Sequence, residues 1–547
     1  MKTAQEYQKR LQRHLDELKW LYCELYPGRE DMFTQLCEQM EAWYQDRPES
    51  EKKLDREREQ EPAWYSRQDM LGMMLYIDAF AGNLKGVKKK LPYLEACNVN
   101  YLHLMPFLDT PKGKSDGGYA VADYRKVQPN LGTMEELASL CSACHEKKMS
   151  VCMDFVMNHT SEDHEWAKRA LAGEKEYQDR YFFYDTPDIP QEFEKTVPQV
   201  FPTTAPGNFT WRDECQKYVM TSFYPYQWDL NYSNPVVFNE MVYNMLYLVN
   251  QGIDIVRIDA VPYIWKQLGT DCRNLPQVHT IVRMIRMITE IVCPGVVLLG
   301  EVVMEPAKVV PYFGTLEKPE CHMLYNVTTM ASTWHTVATK EVALLKQQMD
   351  VVNSLPKEYV FLNYLRCHDD IGWGLDYDFL KPSGIQEIPH KKYLNEYFRG
   401  MAAGSDARGE LYNDDPVLQD ARLCGTTASL CGLETSLQAK DPARIERAIQ
   451  KILMLNAYLF IQSGIPVIYS GDEIGQLNDY SYKDDPDADR AADSRYVHRG
   501  HFRWELEKKR AERGTVQNRI FEGMQKMEKA RFPCGPFSGK AAVWTYD

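Results

Sequence analysis

The chain predicts an α/β fold: a (β/α)8 TIM barrel carrying a helical N-terminal domain and two inserted subdomains. Three observations predict it. Eight short apolar runs alternate with helical stretches along most of the sequence. Each run is nearly continuously apolar, as parallel strands buried on both faces require. Polar and ionisable residues gather at the C-terminal ends of the runs, the face on which barrels build their chemistry.

Residues 1–66 come first, charged but with apolar residues at helical spacing (LDELKWLYCELY, MFTQLCEQMEAWY), which predicts a small helical domain. The expected strands follow at 70–80, 99–107, 149–156, 252–260, 295–303, 322–326, 359–370 and 465–473, within a barrel domain at 67–530. Two connections are far longer than ordinary loops, 157–233 after the third strand and 371–438 after the seventh. Both leave from the face that carries the chemistry and are expected to wall it. The run YKDDPDADRAADSR at 482–495 reads as a long loop after the eighth strand.

Composition narrows the function. A formal charge of −14 argues against a nucleic-acid partner, which needs Lys/Arg stripes, and gives no support to an anionic membrane surface. No apolar run is long enough to span a bilayer, and the first residues, MKTAQEYQKRLQRHLDEL, lack the apolar region of a signal peptide, so the expected location is cytoplasmic. Cys141 and Cys144 have C-x-x-C spacing, but they lie in a helical stretch without a second pair, so reduced core thiols are expected rather than a metal or redox site.

The strand ends carry the chemistry. The third supplies Asp154, Asn158 and His159; the fourth Asp254, Arg257 and Asp259; the fifth Glu301; the seventh His368, Asp369 and Asp370. Residues i and i+2 of a strand share a face, so Arg257 and Asp259 point the same way. The arginine is expected to keep Asp259 ionised, as suits a nucleophile. Glu301 follows the apolar VVLL, where desolvation would raise its pKa, as suits a general acid. One charged and one protonated carboxyl are the equipment of glycoside chemistry. A lone Asp or Glu at a strand end is as often a helix cap or loop anchor. Four strands of one barrel ending in Asp, His, Arg and Glu is a stronger signal. The HDD cluster alone also fits a metal-dependent phosphohydrolase, but that would need further ligands on helices.

These four regions, in order and on the expected strands, resemble the signatures of the α-amylase superfamily. GKSDGGYAVADYRKV (113–127), FVMNHTSEDHEWAKRA (155–170), YQWDLNYSNP (226–235), VRIDAVPYIWKQLGT (256–270) and CHDDIGW (367–373) are most similar to the amylosucrases and their relatives, the sucrose hydrolases. The resemblance implies cleavage of sucrose with release of fructose and transfer of glucose to an α-glucan. It implies Asp259 as nucleophile, Glu301 as general acid/base and Asp370 as the third carboxylate, which grips ring hydroxyls. His159 and His368 would hydrogen-bond the glucosyl ring, Arg257 would orient Asp259, and Tyr119 would stack under the sugar. Asp116 and Arg495 would form the salt bridge that closes the pocket floor. Phe223 and Gln227 would line its wall, with Asp369 and Arg499 near bound sucrose. No cofactor and no metal are implied, although Asn158 matches part of a pattern that holds calcium in some α-amylases.

Three departures bear on the product. Pro262 and Tyr263 replace Ala and Phe on the fructose or acceptor side, and Pro198 stands where some relatives carry an arginine that narrows the acceptor channel. The family's C-terminal antiparallel β domain would only begin at 531–547, so a truncated version of it is expected there. Hydrolysis of sucrose or another α-glucoside, and an inactive scaffold of the same fold, are the competing readings.

Overall fold

The computed structural model describes residues 2–416 and 419–532; of the expected C-terminal β segment at 531–547, Arg531 ends a helix (Val516–Arg531) and 533–547 lie outside the described residues. Eight parallel strands close a barrel in sequence order: β1 (Gly72–Leu75), β2 (Tyr101–Leu104), β3 (Ser150–Val156), β4 (Ile255–Asp259), β5 (Val297–Gly300), β6 (Met323–Tyr325), β7 (Val360–Asn363) and β8 (Ile465–Tyr469). All eight strands are buried along their whole length. This is the (β/α)8 fold that the apolar runs predict.

The strands are shorter than the runs. The run at 70–80 yields β1 and then a helical turn at Ile77–Ala81, closed by Gly82 at φ 81°. Apolar content alone does not separate a buried strand from a buried helix. The run at 359–370 ends its strand at Asn363, so the HDD cluster sits on a loop beyond β7 and not on the strand itself. The chain leaves the ladder where Arg366 turns inward, its Nε donating to both oxygens of Asp472 at 3.0 and 3.1 Å.

The chain divides into two compact units, each described separately. The first comprises Met1–Tyr65, Leu104–Val302 and Lys308–Leu324. Its N-terminal helices are α1 (Lys2–Leu25), α2 (Glu30–Asp46) and α3 (Glu49–Gln60); α1 and α2 pack on the helices that follow β3 and β4, α4 (Pro235–Val249) and α5 (Pro276–Val292). Leu18, Tyr22 and Tyr26 of the α1 region recur at four-residue spacing and are buried. Polar bonds fix the seam. Tyr22 donates to Asn239 Oδ1 at 3.0 Å, Arg283 forks onto Glu17 at 2.9 and 3.1 Å, and Arg58 Nη1 donates to Asp254 Oδ1 at 2.6 Å. The expected N-terminal helices therefore belong to the same compact unit as β3, β4 and β5. The connection after β3 adds a three-stranded antiparallel sheet (Phe183–Tyr184, Phe209–Arg212, Lys217–Met220) around a small core of Phe193, Val197, Met220 and Cys272.

The second unit comprises Ser66–His103, Val303–Ala307 and Tyr325–Asp547. Its long connection after β7 folds as a helix, Glu387–Phe398, and a hairpin, Glu410–Asp415 with Asp420–Cys424. An isolated bridge from Ile371 to Leu423 ties that hairpin to the residues after Asp370. Among the described residues no helix is long and apolar enough to cross a membrane. Cys141 and Cys144 are fully buried free thiols.

Candidate active site

Register builds the first half of the site. Arg257 of β4 lies opposite Asp154 of β3, and Ile258 opposite Gly300 of β5, so Glu301 emerges one step beyond the ladder beside Asp259. Gly300 lets β5 pass close to its neighbour, for a Cβ there would meet Cys321 Sγ at 2.7 Å. Arg257, 2% exposed, sits at the centre. Its Nη1 donates to Asp259 Oδ1 at 2.9 Å and to Asp154, and its Nη2 meets Glu301 Oε1 at 2.6 Å. Immediately after the nucleophile candidate, Ala260 adopts a left-handed φ of 48°, a conformation a non-glycine residue holds only when its surroundings impose it. Its N–H is thereby turned to Glu301 Oε2 at 2.9 Å.

The electrostatics differ from the sequence expectation. Arg257 does pair with Asp259, but burial pushes the Asp259 carboxyl well above the usual range, and the adjacent Glu301 pushes it further, against the pull of Arg257. Nor does Glu301 rest in an apolar socket. The VVLL run stays in the barrel, and the carboxylate is engaged by Arg257 and the Ala260 N–H.

Around this pair, Tyr119 donates its hydroxyl to Asp154 Oδ1 at 3.0 Å, and Arg257 Nη1 lies 3.3 Å from the same hydroxyl. His159 Nε2 donates to the Tyr119 carbonyl at 3.1 Å while its Nδ1 accepts from Asn158 at 3.2 Å. Burial lowers its pKa to about 4, so it is a neutral imidazole at pH 7. Gln227, on a short strand paired with His159–Ser161, donates to Asp116 Oδ2 at 3.2 Å. The Phe223 ring lies 5.2 Å from that of His159. The structure thus gathers Asp116, Tyr119, His159, Phe223, Gln227, Arg257, Asp259 and Glu301 in the first unit.

The Asn158 corner is filled by a residue that the sequence reading did not single out. Lys266, fully buried, donates to Asn158 Oδ1 at 2.7 Å and to the Tyr263 carbonyl, and stands 3.6 Å from Asp229. Its ammonium thus faces the oxygens of Asn158, Tyr263 and Asp229.

The remaining site residues belong to the second unit. His368, 1% exposed, has Nε2 3.2 Å from Asp369 Oδ2, and its carbonyl accepts from Arg499 Nε at 2.7 Å. Arg499 Nη2 meets Asp369 Oδ1 at 3.3 Å, and Arg495 Nη1 lies 3.9 Å from the same oxygen. Arg495 also pairs with Asp493 at 2.8 Å. Burial raises the Asp370 carboxyl, opposed by Arg422, whose Nη1 is 3.6 Å away. Cys367, His368 and Asp369 bring three metal-ligating atoms within 4.8 Å of one another, but two guanidiniums already face Asp369. Sequence reading missed Arg422, Asp493 and Tyr76, whose ring stands edge-on to His368 at 6.2 Å. None of the three lies in a recognisable motif.

A strand-borne arginine thus stands between two carboxyls at the C-terminal end of a closed barrel, the place where this fold builds its chemistry and a pairing that suits glycoside processing. The alpha amylase catalytic domain matches residues 47–371, and the chain belongs to this family. A trehalose synthase of Pimelobacter sp. is 29% identical over 402 residues, 72% of this chain and 63% of the relative. The trehalose synthase/amylase TreS of Mycolicibacterium smegmatis is 30% identical over 412 residues, covering 75% and 62%. A glucosylglycerate phosphorylase of Spirochaeta thermophila is 29% identical over 382 residues, covering 69% and 59%. The chain spans less than two thirds of each of these relatives. The solved sucrose 6F-phosphate phosphorylase of Thermoanaerobacter thermosaccharolyticum shares the fold, with a TM-score of 0.67 at 19% identity over 87% of this chain and 89% of that one.

Proposed function

We propose that the protein is a retaining glucosyltransferase of amylosucrase type, cleaving sucrose and passing glucose to an α-glucan. The observation that carries the reading is the Asp259–Arg257–Glu301 bridge on adjacent strands. Retention uses two carboxyls about 5–5.5 Å apart, and a sugar entering between Asp259 and Glu301 would part them to that spacing. Asp259 attacks the anomeric carbon, forming the glucosyl ester as the bond to fructose breaks. The fructose oxygen takes its proton from Glu301. An acceptor hydroxyl then returns a proton to Glu301 as its oxygen displaces Asp259. The motif resemblance assigns Asp370 to the ring hydroxyls and His159 and His368 to hydrogen bonds with the glucosyl ring. The same resemblance assigns Asp116 and Arg495 to closing the pocket and Asp369 and Arg499 to the neighbourhood of bound sucrose. These roles rest on the resemblance of the motifs together with the geometry within each unit.

The glucosylglycerate phosphorylases among the relatives favour a second reading, in which inorganic phosphate takes the glucosyl group. One assay separates them. With sucrose alone, fructose and an iodine-staining polymer are expected, and Asp259→Asn is expected to cut fructose release at least about a thousandfold. Fructose release that requires phosphate, with glucose 1-phosphate as product, would establish the phosphorylase instead. Undiminished release from Asp259→Asn would overturn the assignment of Asp259.

A further inference from the structure

A pair of buried histidines lies on two helices of the second unit. His335 stands on the helix Val327–Thr339 that follows β6, and His390 on the helix Glu387–Phe398 of the long connection after β7. His335 is 1% exposed and His390 9%. Among the described residues neither ring nitrogen of His335 has a hydrogen-bond partner, nor has Nε2 of His390. Ser332 Oγ, one turn before His335 on its helix, is buried and unpartnered as well. So is Gln348 Oε1, on the helix Ala343–Ser354 that packs against Val327–Thr339. Buried polar atoms are almost always bonded, and exceptions gathered on one set of helices call for a ligand.

The geometry bears on which ligand. The two imidazole centroids lie 5.0 Å apart with the planes at 69°. Two imidazoles that share one tetrahedral zinc, with Zn–N about 2.0–2.1 Å, bring their centroids to roughly 5 Å. Rings packed for apolar contact alone would leave their polar atoms unsatisfied, a cost that phenylalanine or leucine would avoid. Burial, and then His390, lowers His335 to about 4, and burial lowers His390 as well. Both rings are therefore neutral at pH 7, each with a lone pair to give. His390 Nδ1 lies 3.2 Å from the Tyr377 hydroxyl. An Nδ1–H donated to that oxygen leaves Nε2 as the ligating atom, the outer hydrogen bond that metal-bound histidines keep.

We propose that His335 and His390 are the two imidazole ligands of a zinc site, which pins the connection after β7 to the helix after β6. Oxygen donors complete the tetrahedron. The imidazole pair selects zinc over calcium and magnesium, which take oxygen ligands.

The test is zinc calorimetry on the metal-stripped full chain. The wild type is expected to bind zinc, and His335→Phe and His390→Phe each to bind it at least about a hundredfold more weakly. Binding by either variant within about threefold of the wild type, or no binding by the wild type, would overturn the site. A second measurement, on the wild type, does not depend on a variant folding. X-ray absorption at the zinc edge is expected to show imidazole nitrogens at about 2.0–2.1 Å and no sulfur. A sulfur shell would place the zinc on the protein's thiols, and a shell without imidazole would place it on surface carboxylates; either would overturn the site.

Discussion

At the scale of single residues, burial decides more than pairing. Asp259 has an arginine at 2.9 Å, yet its carboxyl is raised, because a buried site shared with Glu301 disfavours a second negative charge. The positions of Arg257 and Asp259 were legible from the two-residue period of a strand. The balance of burial against pairing was not, because it depends on where Glu301 comes to rest. Lys266 and Arg422 were illegible for a related reason. Each acts through a partner distant in sequence, Asp229 and Asp370 respectively. Glu473 shows the same rule outside the site. It is 2% exposed, and burial pushes its pKa to about 7 although Tyr93 and the Gly471 N–H bond to it. The folded protein therefore holds a proton that the unfolded chain has released above about pH 4.3. This contribution to stability is complete below that pH and is lost as pH rises through 7. Replacing Glu473 by Gln is expected to remove a pH-dependent loss of about 3 kcal/mol between pH 4.3 and 7. Urea unfolding across that range checks it, and parallel pH profiles for the two proteins would contradict it.

At the scale of elements, the apolar runs located all eight strands but overstated their lengths, since an apolar run continues as readily into a buried turn or helix as along a strand. The HDD cluster is the instructive case. The motif was expected at a strand end, yet it stands on a loop anchored by Arg366–Asp472 and the Ile371–Leu423 bridge. The N-terminal helices were legible from their apolar spacing, but not their partners on the barrel. Arg58 is the clearest of these partners. It reaches from α3 to Asp254, just before β4, and also donates to the Gly295 carbonyl at 3.1 Å, just before β5. Burial alone would raise Asp254; Arg58 and His145 overcome it and hold the carboxyl at about 2. Arg58→Ala leaves a buried carboxylate with half its compensation and is expected to cost about 3 kcal/mol. The urea midpoint of the variant checks this, and a loss below about 0.5 kcal/mol would show that the seam does not depend on the pair.

At the scale of the whole molecule, the closed barrel places Arg257, Asp259 and Glu301 at the C-terminal ends of adjacent strands, and the proposed double displacement rests on these three. The sequence motifs carry the glucosyl side of this account more firmly than the acceptor side. Pro198, Pro262 and Tyr263 depart there from the amylosucrase pattern that the motifs resemble. The central claim is that Asp259 becomes covalently glucosylated. It is tested most directly by trapping with 2-deoxy-2-fluoroglucosyl fluoride, whose fluorine slows release of the ester, followed by peptide mass spectrometry of the acid-quenched protein. The account predicts one fluoroglucosyl adduct, on the peptide containing Asp259 and absent from Asp259→Asn. An adduct on another carboxylate, or turnover of the reagent with no adduct at any time point, would contradict it.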